Sequence, residues 1–126
     1  MRRFWIGIII LAVFLVLGLW SCYLMDNMHT QISQALEQAT AAVLSGDAAQ
    51  GITLAKQAHI QWQENWHLIA LLADHAPMDE IDALFAQALY YADTGAEVDF
   101  AAHCARLAKL LEAMGEAHAL NWWNLL

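Results

Sequence analysis

Basic residues are scarce in this chain, with five Lys and Arg against thirteen Asp and Glu. Arg2 and Arg3 sit at the very start. Residues 26–126 therefore hold only Lys56, Arg106 and Lys109 beside all thirteen acids, a formal charge of −10. Such a field repels phosphate backbones, which argues against a nucleic-acid partner and against a peripheral grip on anionic lipid. Cysteine occurs twice, as Cys22 and Cys104. Cys22 ends a long apolar run and Cys104 lies far beyond it, so an internal disulfide is not expected and the fold must rest on packing. Proline occurs once, as Pro77, and strand-like alternation is missing. So are a glycine-rich phosphate loop, a Gly-x-Ser-x-Gly elbow and a zinc-protease motif. Neither an enzyme nor a bound cofactor is expected.

What is present begins with an uncharged run, Phe4 to Met25, "FWIGIIILAVFLVLGLWSCYLM". About 22 residues at about 1.5 Å each span about 33 Å, enough for a hydrocarbon core of about 30 Å. Trp5 lies near one end, and Trp20 and Tyr23 near the other, as interface-seeking rings do. Residues 1–25 thus read as a cytoplasmic stub and a transmembrane helix. Arg2 and Arg3 before the span and Asp26 after it orient a single-pass protein with its N-terminus in the cytoplasm and residues 26–126 outside. A cleaved secretory signal fits less well, because the apolar run is long and no small-x-small site follows. A lipoprotein anchored through Cys22 is the other alternative, although Trp20 is bulky for a lipobox. Gly7, Ala12 and Gly18 leave room for pairing of spans and hence for a homo-oligomer, without forming a Gly-x-x-x-Gly pair.

Beyond the span, "SGD" at 45–47, "HAP" at 75–77 and "TGAE" at 94–97 punctuate four helical stretches, about 27–44, 48–75, 77–93 and 97–119. Each carries an apolar stripe of helical period. The stripes run through Ile32, Leu36, Ala39 and Val43; Ala55, Ala58, Trp62, Trp66, Ile69 and Ala73; Ile81, Leu84, Phe85 and Ala88; and Phe100, Cys104, Leu107, Leu111, Met114 and His118. The expected fold is all-α: a transmembrane helix, then a compact antiparallel bundle of three to four helices standing on that membrane stalk. The first bundle helix is expected to continue straight from the span, because nothing between Tyr23 and Asn27 would stop it. No clean repeat at a period of about 34 residues supports a tetratricopeptide array.

One stretch, "NWHLIALLADHAPMDEID" at 65–82, concentrates a Trp, two His, the proline and four acids. It reads best as a helix corner. Pro77 suits a first helical turn. Asp79, Glu80 and Asp82 follow where the helix dipole favours negative charge. His75 is placed to bond an orphan backbone group or Asp79. The chemical alternative is a metal-binding or metal-dependent helical-bundle protein using Glu64, His67 and His75, because Glu64 and His67 form a Glu-x-x-His pair. Its second copy is missing. His59, His67 and His75 step about 80° apart at about 100° per residue, and so are not expected to share one face. His103 and Cys104 are neighbours that diverge on a helix, and Cys104 reads as a small core residue.

Trp66, then His75, then Glu80-Ile81, followed by the Leu107, Leu110 and Leu111 helix, Glu116 and the Asn124-Leu125-Leu126 tail, resembles a family of small single-span membrane proteins. These belong to Gram-positive spore-forming bacteria, and their domain has no established activity. The resemblance implies a topology and a fold, and it links Trp66 with His75, but it implies no mechanism.

The expected role is a membrane-anchored extracytoplasmic helical protein, a non-catalytic protein–protein interaction or structural module of the cell envelope. Its expected partner is another envelope protein, with Trp62, Trp66, Trp122 and Trp123 as aromatic anchors and His75 at the corner. A pH sensor built on His75 is a further, weaker expectation.

Overall fold

A computed structural model describes the backbone of residues 1–72 and 75–123 and the side chains of residues 1–71 and 75–117. The described residues form four helices and no strand: α1 (Arg2–Leu44), α2 (Ala48–Leu72), α3 (His75–Thr94) and α4 (Glu97–Trp123). The expected all-α fold is present, one long apolar N-terminal helix followed by a helical bundle.

The turns explain the helix ends. After α1, the amide of Gly46 donates to the Val43 carbonyl and that of Asp47 to the Ala42 carbonyl, at 3.0 and 2.9 Å. After α3, Gly95 donates to Ala92 and Ala96 to Tyr91, at 3.4 and 3.0 Å. Both are Schellman closures, which need a left-handed residue just past the helix. Gly46 and Gly95 supply it at φ +92° and +75°. The Asp47 carboxylate then accepts the Gln50 amide at 3.1 Å and caps α2. At the start of α4, Glu97 and Asp99 lie in the first turn, where the dipole favours them.

Around the expected corner, α2 is described to Leu72 and α3 from His75, two residues before Pro77; residues 73 and 74 lie outside the described residues.

The stripes pack as expected. Ile32, Leu36 and Ala39 of α1 are buried, as are Ala55, Ala58, Trp62 and Ile69 of α2, Ile81, Leu84, Phe85 and Ala88 of α3, and Phe100, Cys104, Leu107 and Leu111 of α4. Ala73 lies outside the described residues, as does the side chain of His118. Helix order around the bundle is sequential: α2 lies beside α1, α3 beside α2 and α4 beside α3, and α4 closes the ring on α1. Among these neighbours in the described residues, α1 and α4 pack most extensively and α2 and α3 least. Two polar side chains tie the first helix to the last. Ser33 Oγ–H donates to the Ala108 carbonyl at 3.0 Å. Thr40 Oγ1–H donates to Leu36 of its own helix at 3.0 Å and toward Ala101 at 3.5 Å. From Thr40–Ala101 to Ser33–Ala108, seven residues back along α1 match seven forward along α4, so the two helices are antiparallel.

The N-terminal half of α1 is long and apolar enough to cross a membrane. Only 6% of its most apolar 18-residue stretch is buried, so the bundle leaves it uncovered. The apolar segment runs on into the bundle without a break, as expected. Met25 is already 6% exposed and belongs to the core, whereas Tyr23, two residues earlier, is 70% exposed. α1 is thus a single rod, bare to Leu24 and packed from Met25 onward.

Candidate functional site

The site grows from two tryptophans one turn apart on α2. Trp62 is fully buried and Trp66 half-buried. An indole inside a bundle needs an acceptor for its N–H. Asp82 of α3 serves both: Trp62 Nε1–H donates to Oδ1 at 2.6 Å and Trp66 Nε1–H to Oδ2 at 3.3 Å. The i, i+4 spacing stacks the two rings on one face of α2. The carboxylate is thereby held by both oxygens between α2 and α3.

Around this clamp lies an open groove of about 460 Å³, lined by His59, Gln63, Trp66, His67 and Asp82. The His59 ring sits 5.0 Å from the Phe85 ring, and Trp62 lies 6.5 Å from Phe85 on the inner side. The His67 ring meets Trp66 edge-on at 5.6 Å. Burial lowers the pKa of His59, and the opposing pull of the Asp82 carboxylate is the smaller effect. His59 is therefore neutral at pH 7. The groove combines one fixed carboxylate, aromatic faces and an uncharged imidazole.

The predicted residues separate on inspection. Trp62 is fully covered, so it cannot be a contact anchor; it positions Asp82. Trp66 does line the groove. His75 is exposed at the start of α3, outside the groove lining, and makes no hydrogen bond among the described residues. It does not bond Asp79. His59 and His67 do line one groove despite their rotational offset, because an open groove between two helices accepts an arc wider than about 80°. Glu64 is exposed and outside the lining. Among the described residues no three of His, Cys, Asp and Glu converge as metal ligands, so Glu64, His67 and His75 do not form a ligand set. Cys104 is fully buried, and burial pushes its thiol up to about 12, which removes it as a nucleophile at neutral pH. His103 turns away to the Asp99 carbonyl at 2.9 Å and the Gln87 side chain at 3.0 Å. Trp122 and Trp123 close α4, and their side chains lie outside the described residues.

Asp82 is the residue that sequence reasoning placed wrongly, as one more acid favouring the start of α3. A usable signal existed: two tryptophans four apart on a predicted buried stripe require acceptors, and the sequence offers few acids one helix away.

A second groove of about 320 Å³ runs between α1 and α4, with Asp26, Glu37, Glu112 and Glu116 in its lining. Its floor is polar for a bundle seam, since His29 and Ser33 are 2% and 7% exposed.

Compared with known proteins, residues 19–125 match a family described as a domain of unknown function. No curated protein and no solved structure matches the chain.

Proposed function

The chain belongs to that family, DUF4363, and from its structure we propose that it is a single-pass membrane protein whose outer helical bundle is a non-catalytic interaction module of the cell envelope. The carrying observation is the unbroken α1. Its first half is bare and apolar, and its second half is a full member of the bundle. A helix without a break between span and core fixes the bundle to the membrane at a set height and rotation. That suits a scaffold that presents one face to a neighbour. Arg2 and Arg3 before the apolar run support a cytoplasmic N-terminus and an outer acidic bundle.

The bundle then sits directly on the bilayer. The close approach of Gly51 to Ala39 and Val43 sets the α1–α2 register. From there α2 descends to about the level of Cys22 at Leu72, given about 1.5 Å per residue on both helices. α4 runs in the same direction. On this reading the described end of α4 at Trp123 also approaches the membrane.

Cross-linking the tagged full-length protein in native membranes tests the proposal. One stoichiometric envelope protein is expected, weakened by Trp66→Ala through the groove or by Trp122→Ala with Trp123→Ala through the tail. Recovery of no partner under conditions that capture a known membrane complex would overturn the interaction reading.

A further inference from the structure

Asp82 is an uncompensated charge. Its hydrogen-bond partners are two neutral indoles. Arg106 pairs with Glu80 at 3.2 Å and Lys109 with Glu112 at 3.3 Å. Lys56, the remaining base of the bundle, is outside the groove lining. Among the described residues, then, no cation neutralises Asp82. The two indole N–H groups fill two of about four acceptor positions on a carboxylate. The others face a groove walled by Trp66 and two imidazoles, and the His59 imidazole is uncharged at neutral pH. A carboxylate beside an indole face is the chemistry that recognises a cation carrying N–H donors, through charge-assisted hydrogen bonds and the ring quadrupole together. A volume of about 460 Å³ admits a side chain, and the net charge of −10 on residues 26–126 draws basic segments toward the bundle.

We propose that the groove between α2 and α3 is a binding site for a lysine or arginine side chain of a partner protein, with Asp82 as the counter-charge and Trp66 as the stacking wall. This deepens the interaction reading and rests on it. Trp62 takes the positioning role, because its fully buried N–H holds the carboxylate in place. A lipid headgroup is disfavoured by charge: its amine comes with an anionic phosphate, which a formal charge of −10 on residues 26–126 repels.

The test is a titration of the full-length, indole-¹⁵N-labelled protein in lipid nanodiscs, with signals assigned through single Trp→Phe variants. The probes are N-acetyl-arginine amide, its neutral isostere N-acetyl-citrulline amide, and phosphoethanolamine. Arginine amide at millimolar concentration is expected to shift the Trp62 and Trp66 indole signals saturably, with no response to citrulline amide. Asp82→Asn should weaken that response about tenfold or more, the loss of a charge-assisted contact. Glu112→Gln, at the other groove, should leave it unchanged. Should Asp82→Asn fail to fold, Gln63→Lys at an exposed groove position supplies a tethered cation and is expected to block arginine amide. An equal response to arginine and citrulline amides, no saturation, or an unchanged response in both groove variants overturns the proposal. A response to phosphoethanolamine as strong as that to arginine overturns it in favour of a lipid ligand. Loss of a cross-linked partner in Trp66→Ala without any arginine response would leave the interaction module standing and sink the cation site alone. An arginine response with no cross-linked partner would do the reverse.

Discussion

Replacing Gly51 with alanine should destabilise the bundle, and replacing Gly115 with alanine should stabilise it. Both glycines lie inside helices, where alanine is favoured over glycine by about 0.8–1.0 kcal/mol. At Gly51 a Cβ would stand 2.6 Å from Val43 Cγ2 and 2.8 Å from the Ala39 carbonyl oxygen. Val43 can rotate, but the Ala39 oxygen is part of the α1 backbone, so α2 must move away from α1. Overpacking of this kind costs about 1–3 kcal/mol, and a backbone obstacle belongs at the upper end. The net expectation is a loss of about 1–2 kcal/mol once the propensity gain is subtracted. At Gly115 the nearest atoms are Asp26 Oδ1 and His29 Cβ, both at 3.8 Å, which is ordinary contact. Only the propensity and unfolded-state terms act there, for a gain of about 0.5–1 kcal/mol. For a bundle of this size 1 kcal/mol moves Tm by about 4–8 °C, so Gly51→Ala should fall by about 5–15 °C and Gly115→Ala should rise by about 2–8 °C. Thermal unfolding followed by far-UV circular dichroism, on full-length protein in nanodiscs, reads both. A Gly51→Ala protein as stable as the parent would refute the close α1–α2 approach and the register drawn from it.

Three further outcomes are expected. Asp82→Ala should cost about 1–3 kcal/mol, because it strands the fully buried Trp62 N–H. A double-mutant cycle with Trp62→Phe should return a coupling of about 1–2 kcal/mol, and a coupling near zero would remove the clamp. His59 has a folded-state pKa below its unfolded value of 6.5, so below that value the unfolded chain binds more protons than the bundle. Its stabilising effect is complete above about pH 6.5 and is lost as pH falls from there through the folded pKa. Tm should therefore decline on acidification through that window, and less so in His59→Gln; identical slopes would count against the burial of His59. Finally, a water-soluble maleimide should leave Cys104 unmodified in the native protein at neutral pH and label it in denaturant, since the thiol is fully buried and pushed up to about 12. Rapid native labelling would show that the core stripe of α4 is wrongly placed.

Much of the fold was readable along the chain. The stripes Ile32-Leu36-Ala39-Val43 and Phe100-Cys104-Leu107-Leu111 announce helices because one helical face repeats every three or four residues. Ser45-Gly46-Asp47 and Thr94-Gly95 announce ends because a Schellman closure needs a residue at positive φ. The site was legible only in pieces. Trp66 and His67 stood out, but Trp62 was taken for a contact anchor and proves to be core. His75 was tied to Trp66 and proves to be exposed, outside the groove that Trp66 lines. Pro77 suggested a helix beginning at itself, because a proline states only that it lies in a first turn, not at which place in it. The passage of α1 from the apolar run straight into the bundle was readable too, because nothing between Tyr23 and Asn27 would stop a helix; that packing begins at Met25 was not, because hydropathy marks where an apolar run ends and is silent on where packing begins.

By itself the sequence determined an all-α chain, four helices, and one apolar segment able to cross a membrane. Those properties are local, set by periodicity, turn residues and uninterrupted hydropathy. Only the tertiary structure decided that α1 pairs chiefly with α4, that Gly51 is tight and Gly115 roomy, and that Asp82 is gripped by Trp62 and Trp66. Each of these is a distance between residues far apart in the chain. Such distances depend on how far each helix is rotated and slid against its neighbour, and a stripe of apolar residues leaves that rotation free over an arc wide enough to move a carboxylate from solvent into an indole clamp.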